Sequence, residues 1–464
     1  MFLSKVFERF VSKSPVSVML RGALEYAFPP ECLDKLFRRH AVQQYEDALL
    51  FSTVVEVLGL AVTGTRKSVN AAYLASKEQV QVSAAALYDK LQGVEPQVSQ
   101  ALVRESAARL RPVVTKMRGQ AKPLMPGYRT LILDGSHWAA TERRIKETRR
   151  LHGVPLPGQA LVLLDPQTRL MLDVFPCEDA YAQERELLGE VTATLRPRDL
   201  LIADRNFCTT QFLFDIRDKK AFFVIRQHAS TLSKKRLVGQ RRRVGETETG
   251  VVYEQILETR RRRNGEDEVF SLRRITIDLF EPTVNGDTQI HLVTNLPPKI
   301  DALQVAELYL NRWTIENAFQ ELGQALASEI NTLCYPKAAL LAFCVAVATY
   351  NMLSTIKAAI RVAHRDPALL TELSGYYLAE ELAATYGGMV IAIEPEQWTR
   401  SFAALSVDEM TTVLLELASH VEVDRFRKRH RGPKKPQPPR QGGYPNKHVS
   451  TARLLAQRKS PMTA

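Results

Sequence analysis

The segment ALVLLDPQTRLMLDVF, residues 160–175, contains two apolar runs of strand length with four polar or turn-forming residues between them. A similar run, TLILD at residues 130–134, comes before them. Short runs rich in Leu, Ile, Val and Phe that are bounded by turn-forming residues are typical of buried β-strands. These three runs therefore predict three strands of one sheet.

Helical and strand patterns alternate after these runs. Residues 182–195 have the spacing of an amphipathic helix, and DLLIAD at residues 199–204 predicts a fourth strand. A second helix near residues 210–218 and a fifth strand, AFFVIR at residues 221–226, follow. Three adjacent strands followed by alternating helices and strands indicate an α/β fold whose mixed sheet has an antiparallel edge. This order matches a ribonuclease-H-like core.

Residues 228–296 combine alternating polar and apolar segments with clusters of basic residues, which predicts a β-rich insertion into this core. The clusters lie at residues 234–236, 241–243 and 260–263. Two interpretations of them remain open. They are solvated charges on hairpins, or they contact phosphates if the insertion faces a nucleic acid, where they would add affinity without sequence recognition.

Helical patterns without strand alternation fill the chain on both sides of this central region. We expect a helical amino-terminal domain at residues 1–122, a central domain at residues 123–330 and a helical region at residues 331–423. Within the first domain, residues 68–75 and 83–91 fit two helices around a turn, as in a helix-turn-helix. Two ordinary packed helices would give the same pattern, so both interpretations stay open.

Positive charge is concentrated at the carboxy terminus. The 464 residues carry 63 Lys and Arg against 51 Asp and Glu, and the segment from Arg425 to the end holds 12 basic residues and no acidic ones. The rest of the chain is therefore neutral. Residues 424–464 have too little apolar content to pack, so we expect a disordered tail. Such a tail suggests a polyanionic partner, most commonly nucleic acid, with acidic membrane surfaces as the alternative.

Cysteine spacing and hydropathy limit the class of protein further. The five cysteines are far apart and lack metal-binding spacing, which argues against a disulfide framework and a zinc site. Charges interrupt the first 14 residues, so we expect no signal peptide. The longest apolar run, residues 338–353, is shorter than the roughly 20 residues of a membrane span. We therefore expect a cytoplasmic protein with no membrane partner and a buried helix at this run.

Asp134 and Asp204 each end an apolar run that predicts a strand. Ligands collect at strand ends in open α/β sheets, because the backbone there diverges into loops while the sheet keeps the positions rigid. A single aspartate at such a place more often caps a turn. Asp165 and Asp173 are two candidates for that ordinary role and serve as comparisons.

A third group of polar residues lies on a helix predicted from residue 301 to about residue 326, with Asp301 as its N-cap. Tyr309, Arg312 and Glu316 follow one another at intervals of three and four residues, so their side chains fall within one stripe of that helix. The adjoining apolar stripe should face the sheet and leave Glu316 at the border of a cleft. An Arg312–Glu316 pair on a solvated helix face is the alternative for this spacing.

The run YLNRWTIENAFQEL, residues 309–322, resembles the carboxy-terminal signature of the insertion sequence four family of DDE transposases. That signature is Tyr, two residues, Arg, three residues, Glu, six residues and Lys. LILDGS at residues 131–136 and LLIADRNF at residues 200–207 look like the two aspartate blocks of the family. Residues 339–353 resemble the helix that follows the signature, and the resemblance covers roughly residues 128–354.

The resemblance implies a cut-and-paste DNA transposase with a ribonuclease-H-like catalytic domain. Asp134, Asp204 and Glu316 would be catalytic and would hold two Mg²⁺ ions, for which Mn²⁺ can substitute. Tyr309 and Arg312 would bind DNA. Cleavage and joining of phosphodiesters need an activated water or 3′-hydroxyl and a neutralised anionic centre, and two ions about 3.5–4 Å apart provide both. Carboxylates suit this task, since Mg²⁺ binds few of them and keeps waters or phosphate oxygens as its other ligands.

The partners implied are double-stranded DNA, at the element ends and at the target, and a second copy of the chain in a dimeric synaptic complex. The amino-terminal domain would bind the element ends, in a bacterial cytoplasm where the DNA-bound protein is associated with the nucleoid. Gly323 stands where the family has its lysine. Two alternatives remain, a noncatalytic DNA-binding protein derived from a transposase and a site-specific nuclease of the same fold.

Three ring side chains near these motifs have less specific signals. His137 and Trp138 closely follow Asp134 and could contact DNA, although a hydrogen-bonded loop residue is the simpler interpretation of His137. Trp313 lies within the signature run, and we expect it to pack against the protein rather than to stack on a base.

Overall fold

The computed structural model describes residues 5–44, 48–137, 157–180, 182–227, 237–283, 286–330 and 332–429. Residues Met1–Arg427 form one compact unit, and residues Lys428–Ala464 form a second. The tail predicted to be disordered therefore lies almost wholly outside the described residues.

The first unit extends past residue 424, where the tail was predicted to start. Val423–Phe426 is a 3-10 turn in which Phe426 is buried. Arg427 pairs with Asp366 at 2.6 Å. Burial of Phe426 and the ion pair of Arg427 attach this short segment, although the composition of the whole tail gives no sign of it.

Nine strands are described, and in chain order they are β1 (Arg129–His137), β2 (Gln159–Asp165), β3 (Leu170–Cys177), β4 (Asp199–Ala203), β5 (Phe222–Arg226), β6 (Leu237–Thr247), β7 (Gly250–Arg263), β8 (Glu266–Leu279) and β9 (Gln289–Thr294). They form one mixed sheet in the order β3-β2-β1-β4-β5-β9-β8-β7-β6. β1, β4 and β5 are parallel to one another, and the other neighbouring pairs are antiparallel. The predicted mixed α/β sheet with an antiparallel edge is confirmed.

The strands predicted within residues 228–296 continue this same sheet. β9 pairs with β5, and β8, β7 and β6 follow outward. Without β9, the edge of β5 would expose unpaired backbone N–H and C=O groups, and β9 supplies their partners. The β-rich insertion is therefore an extension of the core sheet.

Sixteen helices are described. Seven precede the sheet, namely α1 (Lys5–Lys13), α2 (Pro15–Ala27), α3 (Pro30–His40), α4 (Phe51–Val62), α5 (Val69–Ala75), α6 (Ala84–Gly93) and α7 (Pro96–Lys116). Two connect its strands, α8 (Leu188–Thr194) and α9 (Thr210–Asp218). Seven follow it, namely α10 (Ala302–Leu310), α11 (Trp313–Ala325), α12 (Pro336–Ala363), α13 (Leu369–Glu372), α14 (Gly375–Ala392), α15 (Pro395–Trp398) and α16 (Val407–Ser419).

Two apolar cores lie on the two faces of the sheet. Ile132, Ile202 and Val224 belong to the larger core, which also contains side chains of the amino-terminal and carboxy-terminal helices. Leu133 and Leu201 belong to the smaller core, which α8 and α9 cover. Successive residues of a strand point to opposite faces, so each apolar strand contributes to both cores. Helices from both ends of the chain thus share one core, and the predicted division into separate domains stays a prediction.

α12 runs through the larger core. Asn351 on this helix accepts a hydrogen bond from the N–H of Met171 in β3 at 2.8 Å and donates one to the carbonyl of the same residue at 2.9 Å. Within the described residues, α12 is the one helix long and apolar enough to cross a membrane, and 94% of its most apolar window is buried inside the protein. This burial agrees with the buried helix predicted at residues 338–353.

The two helices predicted at residues 68–75 and 83–91 are present as α5 and α6. Ser68 caps α5 by accepting a hydrogen bond from the N–H of Ala71 at 3.1 Å, and Ser83 caps α6 in the same way. Their role in nucleic-acid recognition stays a prediction.

The segment predicted as one helix from residue 301 to about residue 326 is two helices, α10 and α11, so the prediction of a continuous helix is wrong. The N–H groups of Asn311 and Arg312 donate to carbonyls only three residues back, which tightens the chain into a turn. The Asn311 side chain also donates to the carbonyl of Glu307 at 3.3 Å. Such side-chain bonds to the backbone compete with a regular helix.

Candidate active site

Asp134 and Asp204 lie at the same edge of the sheet. Asp134 is in β1 and Asp204 directly follows β4, and the preceding residues, Leu133 and Ala203, are paired across these parallel strands. Parallel neighbours bring their carboxyl ends to one edge of a sheet. The fold therefore places the two aspartates next to each other, as the sequence predicted.

Tyr309 and Arg312 each contact one of these aspartates. The Tyr309 hydroxyl donates a hydrogen bond to Oδ1 of Asp204 at 3.2 Å. Nη1 of Arg312 donates to Oδ2 of Asp134 at 3.0 Å, and Nη2 of the same guanidinium pairs with Oε1 of Glu316 at 2.6 Å. The five residues singled out in the sequence form one network, although they come from three distant segments.

The turn between α10 and α11 determines how this network is built. Tyr309 is in the last turn of α10, Arg312 is the N-cap of α11, and Glu316 is in the first turn of α11. The Arg312–Glu316 pair expected for a solvated helix is present. However, the guanidinium is largely buried and also reaches Asp134, so this pair is part of the cleft.

Burial dominates the electrostatics of the site. Burial raises the pKa of Asp134 to about 6, against the opposing effects of the Arg312 charge and of the Gly135 N–H, which donates to its Oδ1 at 2.9 Å. Burial and the neighbouring Asp204 also raise the pKa of Tyr309, which stays protonated as a hydrogen-bond donor. Burial disfavours the charged form of Arg312, yet its anionic neighbours outweigh that effect and raise its pKa.

The residue types fit a divalent cation, but Arg312 stands between two of the carboxylates. Mg²⁺ and Mn²⁺ prefer carboxylate oxygens, which Asp134, Asp204 and Glu316 supply. Within the described ranges, no three His, Cys, Asp or Glu side chains lie close enough together to hold a metal ion. For Asp134 and Glu316 to bind an ion through the oxygens that now contact Arg312, its guanidinium has to move.

A cavity of about 360 Å³ adjoins this network, between the end of β1 and α11. Its lining includes Gly135 and Ser136 from β1 and Gln320 and Gly323 from α11. No atom of the described residues lies within 4 Å of the position that a Cβ atom on Gly323 would occupy. The place of the family's lysine is therefore open space on the active-site side of α11.

Trp313 does not pack as expected. Its side chain is 60% exposed, next to Arg312 at the start of α11, so the prediction of packing is wrong. His137 lies at the end of β1, and Trp138 lies outside the described residues.

Several arginines of the added strands are engaged in ion pairs. Arg241 pairs with Asp278 at 2.6 Å, and Arg242 pairs with Glu254 at 2.9 Å. Arg261 contacts three carboxylates, those of Asp215, Asp218 and Glu268. These pairs favour the interpretation of charges balanced within the fold, while the cluster at residues 234–236 lies outside the described residues.

Asp165 has the ordinary role expected of it, whereas Asp173 lies within β3 and pairs with Arg104 instead of capping a turn. Oδ1 of Asp165 accepts the N–H of Gln167 at 2.9 Å and so caps the turn between β2 and β3. Asp173 accepts hydrogen bonds from Nε of Arg104 and the N–H of Val174, both at 2.9 Å.

Sequence patterns did not reveal three residues beside the site. The Glu184 carboxylate accepts a hydrogen bond from the side-chain amide of Asn206. Nε of Arg185 donates to the carbonyl of Asn206 at 2.8 Å. Asn206 lies within LLIADRNF, a segment already singled out for its resemblance to an aspartate block, so the sequence could have pointed to it. Glu184 and Arg185 lie in a segment without a motif.

Comparison with known proteins gives a family match and matches among solved structures. Residues 125–352 match the family model of the transposase DDE domain. Among solved structures, the chain is similar to piggyBac transposase in a cryo-EM structure of its synaptic complex with hairpin DNA. The two share 11% sequence identity with a TM-score of 0.39, and the match covers 89% of this chain and 87% of that chain. No curated protein matches the sequence. The segment that matches the family model contains Asp134, Asp204 and Glu316, and this match supports a DDE transposase.

Proposed function

We propose that the protein is a cut-and-paste DNA transposase of the insertion sequence four family. The network of Asp134, Asp204, Tyr309, Arg312 and Glu316 carries this proposal. A chance resemblance of three separate sequence segments gives no reason for their side chains to contact one another. Their contact in one cleft is what a shared active site requires.

The topology of the first five strands supports a ribonuclease-H-like catalytic domain. β1, β2 and β3 form an antiparallel meander, and β4 and β5 add to β1 in parallel. α8 and α9 lie in the connections that lead to β4 and β5. This is the order predicted from the sequence, and it gives Asp134 and Asp204 adjacent places at the carboxyl edge.

Asp134, Asp204 and Glu316 would hold the divalent ions, Mg²⁺ or Mn²⁺. When bound, the ions would activate a water or a 3′-hydroxyl and neutralise the phosphate under attack. Tyr309 orients the carboxylate of Asp204 through its hydrogen bond. Arg312 would exchange a carboxylate for a DNA phosphate, because its planar guanidinium binds both kinds of oxygen anion.

The DNA partner and the assembly follow from the same proposal. The amino-terminal helices, with α5 and α6 as the candidate reading element, would bind the element ends. Two copies of the chain would act on two ends in a dimeric complex. Such a protein would work in a bacterial cytoplasm, on the nucleoid.

The experiment uses a duplex that carries the inverted repeats flanking the coding region, with Mg²⁺ or Mn²⁺ present. Asp134→Asn, Asp204→Asn and Glu316→Gln should each reduce cleavage by several orders of magnitude, because each keeps the shape of the side chain and removes a charge that holds metal. Binding of the duplex should persist in all three variants.

Asp165→Asn is the matched control, because Asp165 also ends an apolar strand, but its contacts are a turn cap and a pair with Nε of Arg111 at 3.8 Å. Its cleavage per folded molecule should stay close to that of the parent protein. An Asp165→Asn variant as inactive as Asp134→Asn would contradict the choice of the first aspartate.

Gly323 and the engagement of Arg312 with two carboxylates favour a second candidate, a noncatalytic DNA-binding protein. The same duplex separates the candidates. A transposase nicks it to a 3′-hydroxyl and joins that end to a target, a nuclease cuts without joining, and a binder gives a gel shift alone. Ca²⁺ should support binding without turnover, and full cleavage in a chelator would contradict metal dependence.

A further inference from the structure

Glu184 touches both aspartate segments of the candidate active site. It lies in the 3-10 turn Glu184–Leu187, between β3 and α8. Its carboxylate accepts a hydrogen bond from the side chain of Asn206, two residues after Asp204. A methyl group on Gly135, the residue after Asp134, would overlap with Oε1 of Glu184.

Close approach is the reason for glycine at position 135. The described residues with positive φ do not include Gly135, so an L-residue could adopt its backbone conformation. It is paired with Leu161 of β2 inside the sheet. What a larger residue would meet is the Glu184 carboxylate, so the small size of Gly135 is matched to the position of Glu184.

Neighbouring hydrogen bonds hold Glu184 in this position. The Gln159 side chain, 1% exposed in β2, donates from Nε2 to the carbonyls of Asp179 and Ala182 at 3.1 and 2.5 Å. These bonds fix the segment that leads into Glu184. On the other side, Arg185 donates to both the carbonyl and the side-chain oxygen of Asn206, at 2.8 and 3.4 Å.

We propose that Glu184 is a positioning residue that fixes the Asp134 and Asp204 segments relative to each other. The inference rests on the proposed function, because it assigns a role in the geometry of that same site. β1 and β4 are held together by the sheet only up to Leu133 and Ala203. Beyond that pair, Glu184 connects the end of β1, at Gly135, with the segment after β4, at Asn206. A shift of about 1 Å there is enough to reduce a rate roughly 10²-fold.

The test is a double-mutant cycle on the duplex that carries the inverted repeats. Gly135→Ala should displace the Glu184 carboxylate and reduce the cleavage rate by about 10²-fold at unchanged duplex affinity. Glu184→Ala should cause a similar loss. The double variant should cleave no more slowly than Glu184→Ala alone, since the added methyl group then has space. Glu184→Gln should restore most of the activity, because an amide oxygen still accepts the bond from Asn206.

Glu186→Ala and Gly189→Ala are the controls. Glu186 is exposed in the same 3-10 turn, and a Cβ atom on Gly189 meets nothing within 4 Å. Both should cleave normally. Losses that multiply in the double variant, or a Glu184→Gln variant as slow as Glu184→Ala, would overturn the proposal.

Two readouts separate this inference from the proposed function. Mn²⁺ affinity, measured without DNA, should fall about tenfold in Glu184→Ala and stay unchanged in Glu184→Gln. A chain that binds Mn²⁺ in this pattern but never cleaves would contradict the proposed function and leave the inference standing. If the chain neither cleaves nor binds Mn²⁺, urea unfolding of Gly135→Ala, Glu184→Ala and the double variant decides the inference. The contact predicts that the two losses in the free energy of unfolding are not additive, and additive losses would overturn the inference.

Discussion

Gly323 lies on α11 seven residues after Glu316, which is about two helical turns. Both residues therefore face the same side of the helix, and Gly323 lines the cavity that also contacts Gly135. A glycine within a helix costs about 0.5–1 kcal/mol relative to alanine, because its unfolded backbone is more flexible. The position thus combines weak helix formation with open space beside the candidate active site.

Gly323→Lys should increase both stability and DNA affinity. Replacing glycine in the helix raises the free energy of unfolding by about 0.5–1 kcal/mol. The new ammonium group can reach a DNA phosphate, and this contact steepens the slope of log K against log salt by about 0.9. Urea unfolding and a salt titration measure the two effects. Gly323→Ala is the control, and a Lys variant that binds duplex no more tightly than the Ala variant would contradict the phosphate contact.

Sequence patterns singled out the five residues of the network but, of its contacts, only the Arg312–Glu316 pair. Asp134 and Asp165 look alike in the sequence, since each ends an apolar run. The family resemblance of LILDGS distinguishes Asp134 in the sequence, and the fold separates the two by their contacts, because Asp134 faces Arg312 while Asp165 caps its own turn. Glu184 was missed because its partners come from two other segments, and no local pattern encodes a contact through space.

At the scale of elements, arginines join α9 to the added strands β7 and β8, and Arg261 makes the most ion pairs among them. The Arg261 side chain is 9% exposed, and it pairs with Asp215 and Asp218 near the end of α9 and with Glu268 in β8. Its guanidinium also lies 4.5 Å from the ring centre of Phe214. The attachment of the added strands therefore combines ion pairs with an aromatic contact.

Arg261→Ala should lower the free energy of unfolding by about 2 kcal/mol. This loss is smaller than the roughly 3–5 kcal/mol expected when a fully buried ion pair is broken, because the carboxylates that pair with Arg261 are partly exposed. Arg242→Ala is the matched control. It removes an arginine that also pairs with a carboxylate, yet its side chain is 74% exposed, so the loss should stay below about 1 kcal/mol. If urea unfolding gave equal losses of the free energy of unfolding for Arg261→Ala and Arg242→Ala, burial would not determine how much these ion pairs stabilise the protein.

The strands were easier to predict than the helix that carries Glu316. Apolar runs between turn-forming residues mark strands directly, whereas the helical period continues without interruption from residue 301 to residue 326. The turn at Asn311 arises from a side-chain bond to Glu307 and from the contacts of Tyr309 and Arg312 with the two aspartates. Tertiary contacts of this kind override the local pattern. The pairing of β9 with β5 was missed for the same reason, since strand order depends on distant segments.

At the scale of the whole molecule, a basic tail follows the unit Met1–Arg427 in the sequence. The tail from Lys428 onward contains ten of the basic residues and no acidic ones. Charges of this kind bind DNA through counterion release, which does not depend on base sequence. We therefore expect the tail to provide nonspecific affinity, while base recognition by the amino-terminal helices stays a prediction.

Deletion of residues 428–464 should flatten the salt dependence of DNA binding. If the tail engages four to six phosphates, the slope of log K against log salt falls by roughly four to five units, for any duplex. Discrimination between the element end and random DNA should survive. Salt titrations of both duplexes with the intact and the shortened protein measure the slope and the discrimination. An unchanged slope would place nonspecific binding elsewhere in the chain, and a loss of discrimination would place base recognition in the tail.

The larger core, shared by helices from both ends of the chain, affects how the protein is made on the ribosome. α2 packs against α16, which begins about 380 residues further along the chain. Synthesis proceeds at about 5–20 residues per second, so roughly 20–80 seconds pass before α2 meets this partner. Throughout that interval the apolar surface of the first helices has to be covered by other means. Each new molecule can therefore complete this core only after α16 has been synthesised, when α2 and α16 meet.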